Sequence, residues 1–379
     1  MKTNKIKVLH IADKLSLGNS TIHGVTRLFS MWIPRFDRDK FDVSVCSFRA
    51  KDKAGEYLES HNIKVYYLNK GKFDPTTLSG LLKIVKDHQF DILHLHGYGA
   101  WTFGRIAGLI TKTPIVVHEH MVDPNIPLYQ RFADQLLSGT TTHAIAISES
   151  VKDFMVDYRR IAKNQVSVVI NGIPLESFTN GNTKVETIDK WRSELNIPHD
   201  HKVIGTVGRL HVIKGHRYFL DAAAEVLKVY PKATFLIVGD GELRETLTEQ
   251  ARQLNIEQNV RFTGHCHDIA PLYSLMDIVI IASLSEGGPL TLFEAMATKC
   301  AVIATNSIGL KDVIIEGETG FLVPPKDASA IADRLLRLLR DDVLLETMKN
   351  TAFREVKKYD IEATVRYLEG HYRQVLQEA

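Results

Sequence analysis

The chain reads as an α/β protein built from two doubly wound parallel-sheet domains, and three observations predict this. It is 379 residues long, too long for one ordinary core and suited to two. Both halves alternate short apolar runs with amphipathic stretches, the pattern of parallel strands covered by helices. Several runs close on a glycine turn ahead of a helical pattern, and the carboxyl ends of such strands are where doubly wound sheets take their ligands.

In the first half the expected strands are 7–11, 41–47, 64–67, 92–96, 115–118, 143–147 and 166–169. In the second they are 202–207, 234–238, 260–262, 278–282, 301–304 and 320–323. Thr179 to Asp189 is polar and unpatterned and reads as a linker. The tail from Asp333 is helical in pattern, broken near Tyr359 and Asp360. The expected organisation is an N-terminal domain over 1–182 and a C-terminal domain over 183–358, facing each other across a cleft. Residues 359–379 are expected as a helix packing back on the first domain.

Hydrophobic content of 44% and charged content of 24% belong to a soluble globular protein. No run of 18 apolar residues is present to span a bilayer. Met1 to Lys5 leads straight into a strand-like segment without the apolar stretch of a signal peptide. Cys46, Cys266 and Cys300 form no CxxC pair, which points to a reducing cytoplasm. Residues 1–170 hold 23 Lys and Arg against 16 Asp and Glu, a balance of +7, and the remainder hold 24 against 29, or −5. The basic half suggests an anionic partner: lipid head groups at the inner face of a membrane, or a phosphorylated acceptor. Nucleic acid is not expected, because the acidic half does not serve it.

Chemistry concentrates in the second half. Glu286 ends a loop after a buried strand, and Gly287 and Gly288 let backbone approach a ligand closely. Pro289 suits the first position of a helix that continues through Leu290 and Thr291, with Glu294 a little over one turn in. A helix start attracts anions, and two carboxylates beside it suit a polyhydroxy, phosphorylated ligand. After the strand ending at Val207 come Gly208, Arg209 and Lys214, two cations five residues apart flanked by glycines ahead of a helix. Glycine admits phosphates, Arg209 can fork onto two oxygens, and Lys214 adds a point charge. The spacing is not that of a Walker loop. Gly239, in Val238-Gly239-Asp240-Gly241, is a turn suited to nucleoside contact, and Phe262-Thr263-Gly264 repeats the device.

The order GR-x-x-x-x-KG, G-x-G-x-L, F-x-G and E-x7-E is similar to the retaining nucleotide-sugar glycosyltransferases of family 4, which have the GT-B fold. Gly317 to Pro324 resembles that family's "g-x-tG-lv-p" segment. Val169-Ile170-Asn171-Gly172-Ile173 resembles its "v-x-NGiD" turn, and Ala146 to Glu149 its "avSe" turn. The resemblance implies that Arg209 and Lys214 hold the donor diphosphate, Glu286 contacts the transferred sugar and Glu294 binds ribose. The family's sugar-facing histidine follows a proline by six positions, which from Pro114 selects His120. His118 falls where threonine is common. His94 and His96 resemble a "vh-x-H" strand end lining the cleft, so His96, His118 and Asn171 are the acceptor-side candidates. The double glycine usual after the first strand is absent, and Gly18 is the close-approach residue while Gly24 opens a helix. Gly288 and Lys311 depart from the usual pattern beside the sugar. The implied reaction moves a sugar, UDP-linked by family prior, to a glycan or lipid-linked acceptor in envelope polysaccharide synthesis. No cofactor or metal is expected, since the two cations do a metal's neutralising task. The alternatives are a sugar-nucleotide epimerase of the same architecture and a non-catalytic sugar-nucleotide-binding partner subunit.

Two patterns suggest metals and are discounted. Asp37-Arg38-Asp39 is like a DxD motif but reads as an exposed connector. His265-Cys266-His267 cannot place alternate residues of one short loop around a single zinc. Phe29, Trp32 and Phe36 near Arg27, Arg35 and Arg38 read either as helix core or as a membrane-facing stripe.

Overall fold

A computed structural model describes residues 5–17, 21–22, 24–72, 74–123, 126–179, 185–266, 268–286, 288 and 290–378. The chain divides into two compact units, 1–172 with 361–379, and 173–360. The first unit therefore closes before the expected boundary at 182. The two ends of the second unit meet: the Ile173 amide donates to the Tyr359 carbonyl at 3.0 Å, and Ile173 bridges Asp360. The terminal helix Ile361–Glu378 belongs to the first unit.

In the first unit the sheet strands are β1 Ile6–Ala12, β2 Phe41–Ser47, β3 Lys64–Tyr67, β4 Ile92–His96, β5 Ile115–Glu119, β6 His143–Ala146 and β7 Val166–Val168. They lie in the order β3-β2-β1-β4-β5-β6-β7, every pair parallel. In the second unit they are β8 Lys202–Val207, β9 Ala233–Val238, β10 Val260–Gly264, β11 Ile278–Ile281, β12 Ala301–Thr305 and β13 Phe321–Val323. Their order is β10-β9-β8-β11-β12-β13, again all parallel. Both sheets reverse direction beside the first strand of their unit, the switch point at which doubly wound sheets open toward ligand. Strands covered on both faces need apolar residues at every position, and β9 and β12 are buried throughout.

One expectation is corrected and one open alternative is decided. The segment read as a linker is helical from Val185, in Val185–Glu194, a helix with no buried residue that rests beside Ala270–Leu275. Its polar composition hid a helix rich in Glu, Lys and Arg. Phe29 and Trp32 are wholly buried and Phe36 is 4% exposed, so this stripe is core and not a membrane face. Gly24 does open the helix Gly24–Trp32. Asp37 to Asp39 is an exposed connector, with Asp37 paired to Lys40. Cys46 and Cys300 are buried thiols, pushed up to about 12 by burial. No helix among the described residues is long and apolar enough to cross a membrane.

Buried imidazoles set the acid stability. Burial lowers His10 to about 3 and His216 and His371 to about 4, and lowers His94, His96 and His118 well below 6.5. The unfolded chain therefore binds more protons than the native one between 6.5 and these values, and stability must rise with pH across that window. Asp13, Glu119 and Asp134 are raised by burial and act in the opposite sense, but they are outnumbered. Calorimetric melting is expected to give a first-unit Tm that is highest above pH 6.5 and falls steeply toward pH 4.5. A Tm unchanged down to pH 5 contradicts this account.

Candidate active site

The second unit assembles its site by bringing backbone onto backbone. Gly239 follows β9 with φ of +134°, and a Cβ there would lie 2.0 Å from the Gly208 carbonyl oxygen. Gly215 has φ of +67°, and its Cβ would lie 2.0 Å from the Ala282 oxygen. Only glycine fits either position. The loop between them is pinned further: the Leu210 amide donates to Asp240, and the Leu284 amide to the Ile213 carbonyl at 2.7 Å. The carboxyl ends of β8, β9 and β11 are thus locked together around residues 208–215.

Both cations of that loop meet carboxylates. Lys214 Nζ donates to Glu286 Oε1 at 2.6 Å, and the same oxygen accepts from Ser283 Oγ at 2.6 Å. Arg209 pairs with Glu242 at 3.0 Å across a more exposed surface. An ammonium has three N–H donors and a guanidinium five, so each pairing leaves donors for an anion. The Arg209 carbonyl accepts from His216 Nε2 at 3.1 Å. Burial keeps His216 neutral, so it orients the loop without adding charge. Nothing in the sequence marked His216 for this task.

Glu294 is fully buried in the helix Leu290–Ala297, where its Oε2 accepts from the Tyr273 hydroxyl at 2.9 Å. The Leu290 amide donates to the Gly288 carbonyl at 2.9 Å, and the Thr291 carbonyl accepts from Tyr273 Oη. Gly18, Gly287 and Pro289 lie outside the described residues, as does His267.

The first unit gathers histidines. His10, His94, His96, His118 and His120 come from β1, β4 and the end of β5, in a register that pairs His10 with His94 and His96 with His118. His120 is half-buried beyond β5, and its Nε2 meets His96 Nδ1 at 2.9 Å. The Glu119 carboxylate accepts from the His120 amide and, on its other oxygen, from Arg159. Arg159 is buried and also pairs with Asp134, an anchor the sequence did not reveal. His96 and His118, expected as acceptor-side residues, are 2% and 0% exposed. They are core side chains between the sheet and its covering helices and present no face to an acceptor. Asn171 is likewise buried, in the turn after β7.

A glycine-closed loop carrying two cations, at the switch point of one of two doubly wound sheets, defines a GT-B-type glycosyltransferase. Residues 187–355 match the family described as glycosyl transferases group 1, and residues 22–177 match glycosyltransferase family 4. The chain belongs to this family. It is 28% identical over 374 residues to an Escherichia coli UDP-Gal:α-D-GlcNAc-diphosphoundecaprenol α-1,3-galactosyltransferase, covering 94% of each chain. It is 30% identical over 329 residues to a Corynebacterium urealyticum D-inositol 3-phosphate glycosyltransferase, covering 79% of this chain and 76% of that one. Among solved structures, Anabaena Alr3699/HepE in complex with UDP superposes with a TM-score of 0.85 at 22% identity, over 98% of this chain and all of the other.

Proposed function

We propose that this enzyme is a retaining transferase that moves a sugar from a uridine-diphosphate donor to a lipid-linked or glycan acceptor in envelope polysaccharide synthesis. The observation that carries the proposal is the closed loop in which Lys214 stands 2.6 Å from Glu286. Breaking the anomeric bond leaves negative charge on the diphosphate and positive charge on the sugar. Arg209 and Lys214 offset the first, so no metal is required, and Glu286 holds the sugar. His120 takes the sugar-facing part that the family motif implies. The acceptor oxygen then attacks from the face the diphosphate leaves, and its proton passes to a leaving phosphate oxygen. Ligands named for relatives support uridine: UDP-Gal in the name of the E. coli enzyme, and UDP-glucose bound in a further structure of the Anabaena protein.

Lys214→Ala is expected to lower nucleotide release in the presence of acceptor by about 10²–10³-fold. Wild-type turnover in that variant, or conversion of the donor without any acceptor, contradicts transfer.

A lipid-borne acceptor is supported by the helix Leu128–Leu137. Leu128 and Leu136 are 82% and 72% exposed, and Tyr129 and Phe132 lie on the same open face. Asp134, on the opposite side, is buried against Arg105 and Arg159. The only exposed charge on the helix is therefore Arg131. An apolar stripe beside a cation, in the basic half of the chain, suits an anionic bilayer surface. The protein is expected to co-sediment with vesicles containing phosphatidylglycerol, and Phe132→Ser with Leu136→Ser to abolish this. Unchanged sedimentation, or a dimer in size-exclusion chromatography that these substitutions dissolve, contradicts a lipid partner.

A further inference from the structure

A second group of cations lies in the first unit, at the carboxyl ends of three adjacent strands. The loops after β1, β2 and β3 bring Lys14 and Ser16, then Arg49, Lys51 and Asp52, and then Lys70 to the lining of one open cavity of about 580 Å³. Backbone ties hold the three loops together. The Phe48 amide donates to the Ala12 carbonyl at 3.2 Å, the Leu68 amide to Ser47 at 3.0 Å and the Lys70 amide to Phe48 at 2.8 Å. Half-buried Arg49 adds a side-chain tie, its Nη1 donating to the Lys70 carbonyl at 2.5 Å.

The acidic groups around the cavity are already engaged. Asp52 caps the helix Lys53–Ser60, accepting from the Gly55 amide at 2.9 Å on one oxygen and from Ser16 Oγ at 2.6 Å on the other. Asp13 accepts from the Gly99 and Ala100 amides at the start of the helix Tyr98–Thr111. Helix-start amides offset part of the charge of both carboxylates. Glu59 takes Lys51 at 2.5 Å. Asp74 lies 3.9 Å from Lys70, beyond hydrogen-bond reach. Among the described residues no carboxylate pairs with Lys14 or Arg49, although both are near enough to Asp13 to favour its charged form. Lys14, Arg49 and Lys70 thus keep donors to spare where the acceptors beside them are used.

The lining narrows the ligand. Among the described residues it holds no aromatic ring, and Ala50 is its one apolar side chain. A base finds nothing to stack on there and an acyl chain nothing to bury against. A phosphate ester carries close to two negative charges and three strong acceptor oxygens, which matches cations converging from three loops. A carboxylate, with one charge and two oxygens, would fill fewer of their donors. We propose that this cavity takes the phosphate of a phosphorylated acceptor, with Lys14, Arg49 and Lys70 as its donors. The word acceptor rests on the transfer reaction proposed above, whereas the anion site stands on its own geometry. The same phosphate chemistry is offered by a soluble sugar phosphate and by a polyprenyl-linked one.

The test titrates inorganic phosphate into the full chain by calorimetry, with chloride as the control anion. Saturable binding is expected, weakened about tenfold or more in Lys14→Gln and in Arg49→Gln and retained in Lys214→Ala. Lys14 is exposed, so Lys14→Gln reads the site even where Arg49→Gln loosens the loops. Two further probes separate the sources. Tighter binding of glucose 1-phosphate than of inorganic phosphate assigns a soluble ester. Retention on phosphatidylcholine vesicles containing polyprenyl phosphate, lost in Lys14→Gln, assigns a lipid-borne one. Failure of both probes overturns the assignment to an acceptor, as does a fall in uridine diphosphate affinity in Lys14→Gln, which would give the cavity to the donor. The site itself is overturned by the absence of saturable phosphate binding, or by binding that vanishes in Lys214→Ala and survives both first-unit variants. Phosphate bound here in a protein that takes no uridine diphosphate would defeat the proposed reaction and leave the anion site standing.

Discussion

The site depends on two places where the backbone comes so close to itself that no side chain fits. Gly239 against the Gly208 carbonyl and Gly215 against the Ala282 carbonyl bind the carboxyl ends of β8, β9 and β11 to one loop. Without those contacts Arg209 and Lys214 would be cations on a free surface turn. With them, Lys214 is delivered to Glu286 and Arg209 is held by its own carbonyl through His216. Backbone closure costs little beyond the choice of glycine, and it fixes side chains to a precision that surface ion pairs alone do not provide.

The electrostatics of the two units follow opposite strategies. In the second unit, cations and carboxylates pair at a partly open surface where each cation keeps donors in reserve. If the loop holds a diphosphate, as proposed, the charge it meets is already oriented, so little reorganisation is needed when negative charge develops. In the first unit His10, His94, His96 and His118 are neutral and buried, and they are hydrogen-bonded to one another and to Tyr372. A buried polar network of this kind is specific because every member constrains the next. Glu119 and Arg159 complete the arrangement by anchoring the backbone of His120.

Much of this was legible in the sequence. Strands β2, β3, β4 and β8 begin and end where the apolar runs do, because a strand covered on both faces has little freedom in composition. Arg209, Lys214 and Glu286 were legible because glycines mark close approach and charge beside them marks a ligand. Three kinds of feature were not. Partnership across the fold left no local trace: Tyr273 on Glu294 and Tyr372 on His94 join residues 21 and 278 positions apart. Exposure was left open where aromatic spacing fits core and surface equally: Phe29 and Trp32 proved buried, and the open face of Phe132 and Leu136 went unmarked. The histidines of β4 and β5 suggested a ligand-facing edge, because alternation along a strand shows that they share a face but not what covers it.

The central claim is that the loop 208–215 is a diphosphate site. Calorimetric titration of uridine, uridine monophosphate and uridine diphosphate into the native protein and into Arg209→Ala tests it directly. The account predicts that affinity rises most at the step adding the second phosphate. That increment should fall by about tenfold or more in the variant, near 1.4 kcal/mol. Equal affinity for the three ligands, or a second-phosphate increment untouched by Arg209→Ala, would contradict it.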